Sequence, residues 1–102
     1  MWYNYRVMNM MVGVCVLTIR IYESNSLKDK RSVVKSLILK LEHKFNISIC
    51  ESGENDNIHF AEVGFATVSN NKKLVDSTID KVINFAEAHD RCEVVNIYRE
   101  VY

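Results

Sequence analysis

The sequence predicts a two-layer α+β fold, and three observations predict it. Apolar residues alternate along four segments, recur at helical spacing along two others, and the segments follow the order β-α-β-β-α-β. The 102 residues are 48% hydrophobic and 25% charged, the size and composition of one globular domain with a single core.

Each element has its own signal. Residues 1–10, with Trp2, Tyr3 and Tyr5, fit no period and read as an N-terminal extension to a single domain over residues 11–102. Met8, Met10 and Met11 follow in quick succession and allow a start at Met10 or Met11, and a second reading docks Trp2 and Tyr3 on the body or on a neighbouring chain. Val12 to Tyr22 is β-branched, with Cys15, Leu17, Ile19 and Ile21 on one face. Glu23-Ser24-Asn25 turns the chain, and Ser26 with Asp29 resembles a capping box opening a helix that runs to about Lys44. Its buried stripe is Leu27, Val34, Leu37, Ile38, Leu41 and Phe45. Ile47 and Ile49 alternate with Ser48 and Cys50 in a second strand, and Ser52 to Asn57 is a polar turn. Ile58 to Val68 is a third strand. Ser69-Asn70-Asn71 caps a helix through about Ala88, with Val75, Ile79, Val82, Ile83 and Ala86 inward. Glu93 to Tyr102 is the last strand. Short connections and right-handed crossovers turn this order into a four-stranded antiparallel sheet with both helices on one face, a ferredoxin-like plait.

Parity assigns the open face of that sheet. A carboxylate under the helices would be costly, so Glu62 points away from them, together with Phe60, Gly64 and Ala66. Ala61, Val63, Phe65 and Thr67 then pack inward. Val14, Val16, Thr18 and Arg20, with Ser48, Cys50 and Tyr98, complete the open face. Val16, Phe60, Gly64, Ala66 and Tyr98 are its interface candidates, because a semi-apolar face calls for self-association, as a dimer through the face or a sheet edge. Gly64-Phe65-Ala66-Thr67-Val68 partly copies the third-strand signature of the RNA-recognition motif. Stacking of bases is nevertheless disfavoured, since Phe65 points inward and Thr67 stands at the second aromatic position.

The strongest local anomaly is the start of the first helix, Ser26-Leu27-Lys28-Asp29-Lys30-Arg31. A helix N-terminus favours acidic residues, yet Lys28, Lys30 and Arg31 outnumber Asp29. At 100° per residue Lys28, Arg31 and Lys35 share one exposed face, and Lys30 flanks the core on the other side. Two readings stand side by side. Glu23, Glu54 and Asp56 pair with these cations in a solvated network, or Lys28, Lys30, Arg31 and Lys35 form an anion- or RNA-binding site. Thirteen basic against thirteen acidic residues exclude a general nucleic-acid or membrane-surface binder, so such contact must be local. Cys15, Cys50 and Cys92 have no CxxC spacing and read as thiols in a reducing compartment. No apolar run reaches ~18 residues and the amino end lacks a signal pattern, so the expected location is the cytoplasm. His43, His59 and His89 fall in different elements, and no constellation suggests an enzyme, a metal or a cofactor.

Met-Val-Gly-Val-Cys at 11–15, Ile-Arg-Ile at 19–21, Ser-Leu-Lys-Asp-Lys-Arg at 26–31 and Lys-Ser-Leu at 35–37 resemble the bacterial YlxP-like family. Lys44-Phe45-Asn46-Ile47-Ser48, Gly64-Phe65-Ala66 and Val68-Ser69-Asn70 continue the likeness, which covers about residues 11–102. The family is a domain of unknown function with a ferredoxin-like fold. Its gene neighbourhoods imply a role linked to translation initiation or small-subunit maturation, and it brings no catalytic residues. Val16, Thr18 and Phe60 depart from the family's more polar residues at 16 and 18 and its basic residue at 60, which implies a hydrophobic contact at the open face. The resulting expectation is a non-enzymatic, cytoplasmic accessory protein touching ribosomal RNA, the small subunit or a ribosomal protein. The alternative is a homodimeric ligand-binding or sensor domain with no nucleic-acid role.

Overall fold

A computed structural model describes residues 9–102. The expectations for Trp2 and Tyr3 lie outside the described residues. The elements are β1 (Met11–Ile21), α1 (Leu27–Lys44), β2 (Ser48–Gly53), β3 (Phe60–Ser69), α2 (Lys72–Glu87) and β4 (Cys92–Val101). They form the expected ferredoxin-like βαββαβ plait, with antiparallel strands in the order β2-β3-β1-β4. Strand ends differ from the sequence reading by one or two residues, or by three at the end of β2, where Glu51 and Gly53 continue the ladder across a bulge opposite β3.

Alternation drives the layering. Cys15, Leu17, Ile19 and Ile21 of β1 and Ala61, Val63 and Phe65 of β3 are all buried beneath the helices. Val33, Val34, Leu37 and Leu41 of α1, with Val75, Ile79, Val82, Ile83 and Ala86 of α2, close the core from the other layer. Val33 was absent from the predicted stripe of α1, and Leu27, Ile38 and Phe45 are only half-buried. Thr67 points inward as expected, its hydroxyl donating to the Asn46 carbonyl at 2.9 Å. Among the described residues no helix is long and apolar enough to cross a membrane.

α2 lies close against β1 at Gly13. A Cβ there would fall inside the van der Waals envelope of Val75 Cγ1 and 3.0 Å from Ile79 Cδ1. Overpacking of this kind costs about 1–3 kcal/mol. Gly13→Ala is therefore expected to lower unfolding free energy by about that amount in urea titration, with the denaturant slope unchanged. A Gly13→Ala protein as stable as the wild type would contradict this packing.

Candidate functional site

The charged block at the start of α1 divides into two sets. Ser26 caps the helix, its Oγ accepting from the Asp29 N–H at 3.1 Å. The reciprocal half of a capping box does not form. The Asp29 carboxylate instead receives the Arg91 guanidinium in a fork, at 2.8 Å and 3.3 Å. Arg91 also donates to the Tyr22 carbonyl at 3.1 Å and to the Glu23 carbonyl at 3.3 Å. The fork therefore fastens the α2–β4 connection to the β1–α1 connection. The hydrogen bonds from Arg91 hold the Asp29 carboxyl below the usual carboxylate range.

Lys30 overturns its assignment to the anion site. It is 0% exposed and lies among the buried residues of α1 with Val33, Val34, Leu37 and Leu41. Its ammonium donates to Glu51 Oε2 at 2.9 Å, to the Glu54 carbonyl at 2.8 Å and to the Asn55 carbonyl at 3.5 Å. An ammonium has three donors, so none remains for a ligand. The physical reason is helical: Lys30, Val34, Leu37 and Leu41 are spaced i, i+4, i+7 and i+11 and share one face. Glu51 is its counterpart in the sheet, set opposite inward-pointing Val63. Neither Glu51 nor Arg91 was singled out in the sequence. The parity argument applied to Glu62 also reaches Glu51, because an inward carboxylate on β2 requires an inward cation.

What stays on the surface is a ridge of Lys28, Arg31 and Lys35, all exposed. Arg31 stands 4.0 Å from Asp56, with both side chains mostly in water, a pair worth little. Among the described residues Lys28 and Lys35 form no ion pair. Of the acidic residues expected to neutralise the block, Asp56 makes this loose pair, Glu54 offers its backbone to Lys30, and Glu23 offers its backbone to Arg91.

The open face of the sheet carries the interface candidates where parity places them. One row crosses all four strands as Cys50, Gly64, Val16 and Tyr98, and the next as Ser48, Ala66, Val14 and Glu100. Phe60 is half-buried opposite Arg20, while Tyr98 is 51% exposed and donates to Glu100 at 2.8 Å. Glu62 accepts from the Ser52 hydroxyl at 3.0 Å. At the Arg20–Phe60 end of the sheet, a groove of about 680 Å³ is lined by Arg20, Tyr22, His59, Phe60 and Glu93. Its cation is already engaged: Arg20 lies 3.8 Å from Glu93 and 5.4 Å above the Tyr22 ring. Burial pushes the Cys15 and Cys92 thiols up to about 11, whereas Cys50 is exposed. No group of three metal-ligating side chains occurs among the described residues.

The Lys30 pair generates an ordering of stabilities. Glu51→Ala leaves a buried ammonium without its carboxylate, a loss of about 3–5 kcal/mol. Lys30→Met keeps the packed stem and frees a Glu51 side chain that is already 24% exposed, so hydration limits the loss to about 1–2 kcal/mol. Urea unfolding of the two variants is expected to rank Glu51→Ala as the less stable. The reverse order would show that the ammonium is not held as described.

Comparison with known proteins places this geometry in a family. The sequence model of DUF503, described as a protein of unknown function, matches residues 12–99. The uncharacterized protein YlxP of Bacillus subtilis (strain 168) is 31% identical over 83 residues, covering 81% of this chain and 90% of that protein. Among solved structures, the de novo designed protein Foldit4 superposes with a TM-score of 0.52 at 12% identity, covering 90% of this chain and 96% of that one, a likeness of fold alone. The matched span holds both clamps and the whole exposed ridge, and the chain belongs to the DUF503 family of YlxP-like bacterial proteins.

Proposed function

We propose that this protein is a non-enzymatic cytoplasmic accessory factor that contacts the phosphate backbone of RNA, on or near the small ribosomal subunit, through Lys28, Arg31 and Lys35. The observation that carries the reading is the division of charge at the start of α1. Lys30 and Asp29 are bound internally, and the cations left over line one exposed face. Lys35 lies seven positions beyond Lys28, about 10 Å along the axis at ~1.5 Å per residue. That is comparable with three phosphate-to-phosphate steps, at the ~3.4 Å of axis per phosphate of one strand of a DNA duplex. Arg31 supplies a planar fork for a phosphate and the lysines supply point charges. The ribosome-linked role implied by the family resemblance supports RNA as the source of those phosphates. A neutral chain restricts such contact to this ridge, and its affinity is that of a few phosphate contacts.

Co-sedimentation with small ribosomal subunits across a salt series tests the reading. The wild type is expected to bind with an affinity that falls steeply with salt. Lys28→Ala/Lys35→Ala should flatten the log–log slope by about two, and Lys28→Glu/Arg31→Glu should abolish binding. Lys73→Ala, a change to an exposed lysine on α2, should bind as the wild type does. Charge-reversed protein that still associates at every salt concentration would exclude the ridge as the contact.

A further inference from the structure

The outer edge of β4 is built to accept another strand. β4 ends the order β2-β3-β1-β4, and its outer side pairs with nothing among the described residues. Val12 and Tyr102 exchange both backbone hydrogen bonds, at 3.3 Å and 2.8 Å, which sets the phase of the ladder. The register runs unbroken from Val101 back to Asn96, so Asn96, Tyr98 and Glu100 turn their N–H and C=O toward β1. Ile97, Arg99 and Val101 present theirs outward.

Natural edge strands are blunted by shortness, proline, lysine or unpaired charge. The other edge strand, β2, has six residues and a bulge. β4 has ten residues with neither proline nor lysine, and its own irregularity is confined to Val95, toward the start of the strand, which leaves residues 96–101 in regular register. Its charged side chains also have partners inside one chain, a close ion pair for Arg99, a loose one for Glu93 and a hydroxyl for Glu100. Arg99 donates to Asp80 at 2.6 Å, Glu100 accepts from Tyr98 at 2.8 Å, and Glu93 lies 3.8 Å from Arg20. Between these charges Ile97 is 44% exposed and Tyr98 is 51% exposed.

We infer that β4 is an assembly edge on which a second copy of this chain lays its own β4, antiparallel, about a two-fold axis through Tyr98 and perpendicular to the sheet. The two plaits become one continuous eight-stranded sheet with all helices on the same side. Electrostatics and the bulge select this register. Centring on Arg99 or on Glu100 sets like charges directly opposite each other, which destabilises the pair. Centring on Ile97 sets Arg99 opposite Val95, so only the central Ile97 pair bonds before the irregular segment between Val94 and Asn96 is reached. Centring on Tyr98 lets Ile97 and Arg99 of one copy bond Arg99 and Ile97 of the other through their outward backbone groups. It also faces the Asn96 amide with the Glu100 carboxylate of the second copy. The two Tyr98 residues then form a non-hydrogen-bonded pair with Cα atoms about 4.5 Å apart, within disulfide reach. The contact is independent of the α1 ridge and of its ligand.

The full-length chain tests this in two ways. Under mild oxidation, Cys50→Ser/Tyr98→Cys is expected to cross-link into a dimer at least ~10-fold faster than Cys50→Ser/Glu100→Cys, whose thiols fall outside bonding distance. By light scattering at micromolar concentration the wild type should have twice the mass of the chain. Ile97→Lys should be monomeric with an unchanged circular dichroism spectrum. A monomeric wild type, or equal cross-linking at positions 98 and 100, would overturn the inference. So would a folded Ile97→Lys dimer. Ile97 lies opposite buried Leu17 on the helix side, so a surviving dimer would assign assembly to the open face instead.

Discussion

An ammonium group closed off from water must find acceptors for all three of its protons, and Lys30 finds them on Glu51 of β2 and on the connection that follows that strand. That requirement ties the first turn of α1 to the end of β2 and to the Glu54 backbone, where φ is 60° and a non-glycine residue is held in the left-handed region. A turn of this kind persists when the surrounding structure fixes it. Here the fixing group is the buried lysine, and Asn57 adds to it by donating to the Glu54 carboxylate at 3.2 Å. The fork from Arg91 to Asp29 does the same on the other side of the helix start. Both loops that flank α1 at this end of the sheet are therefore fastened to one turn of helix.

This arrangement explains a charge pattern that looks wrong for a helix N-terminus. Lys30 answers to Glu51 rather than to the helix dipole, and its position on the buried face is set by packing. Asp29 is well placed for the dipole and is also the anchor for Arg91. Only Lys28 and Arg31 remain in the unfavourable sense, and both extend into water, where the penalty is small and screened by salt. Lys35, one turn further on, extends the same face. Two buried or half-buried ion pairs thus hold a short row of exposed cations at a defined place. Two molecules joined along β4 would carry two such rows on one side of a single sheet, which would strengthen binding to a long anion through linked contacts.

Most of the fold was legible because alternation and helical spacing are local signals. Cys15, Leu17, Ile19 and Ile21 declared the buried face of β1, and Glu62 alone fixed the parity of β3. The site was less legible because its key contacts are long-range. Lys30 meets residues 21, 24 and 25 positions away, and Asp29 meets Arg91 across 62 positions. Charge type says nothing about such pairings. The one available signal was geometric: Lys30 continues the Val34, Leu37, Leu41 stripe, and Glu51 shares the inward parity of Ile49. Reading lysine as a surface residue hid both. The exposed ridge survived the comparison because its three members depend only on helical periodicity.

The cations at the start of α1 divide into one buried tether and an exposed ridge. Competitive acylation of lysine amines on the folded protein, quantified by mass spectrometry, measures that division directly. Lys28 and Lys35 are expected to react at the rate of a free surface amine. Lys30 should stay unmodified until the protein is unfolded in denaturant, when all three should react alike. Acylation of Lys30 in the folded protein at the rate of its neighbours would show that its ammonium is not enclosed.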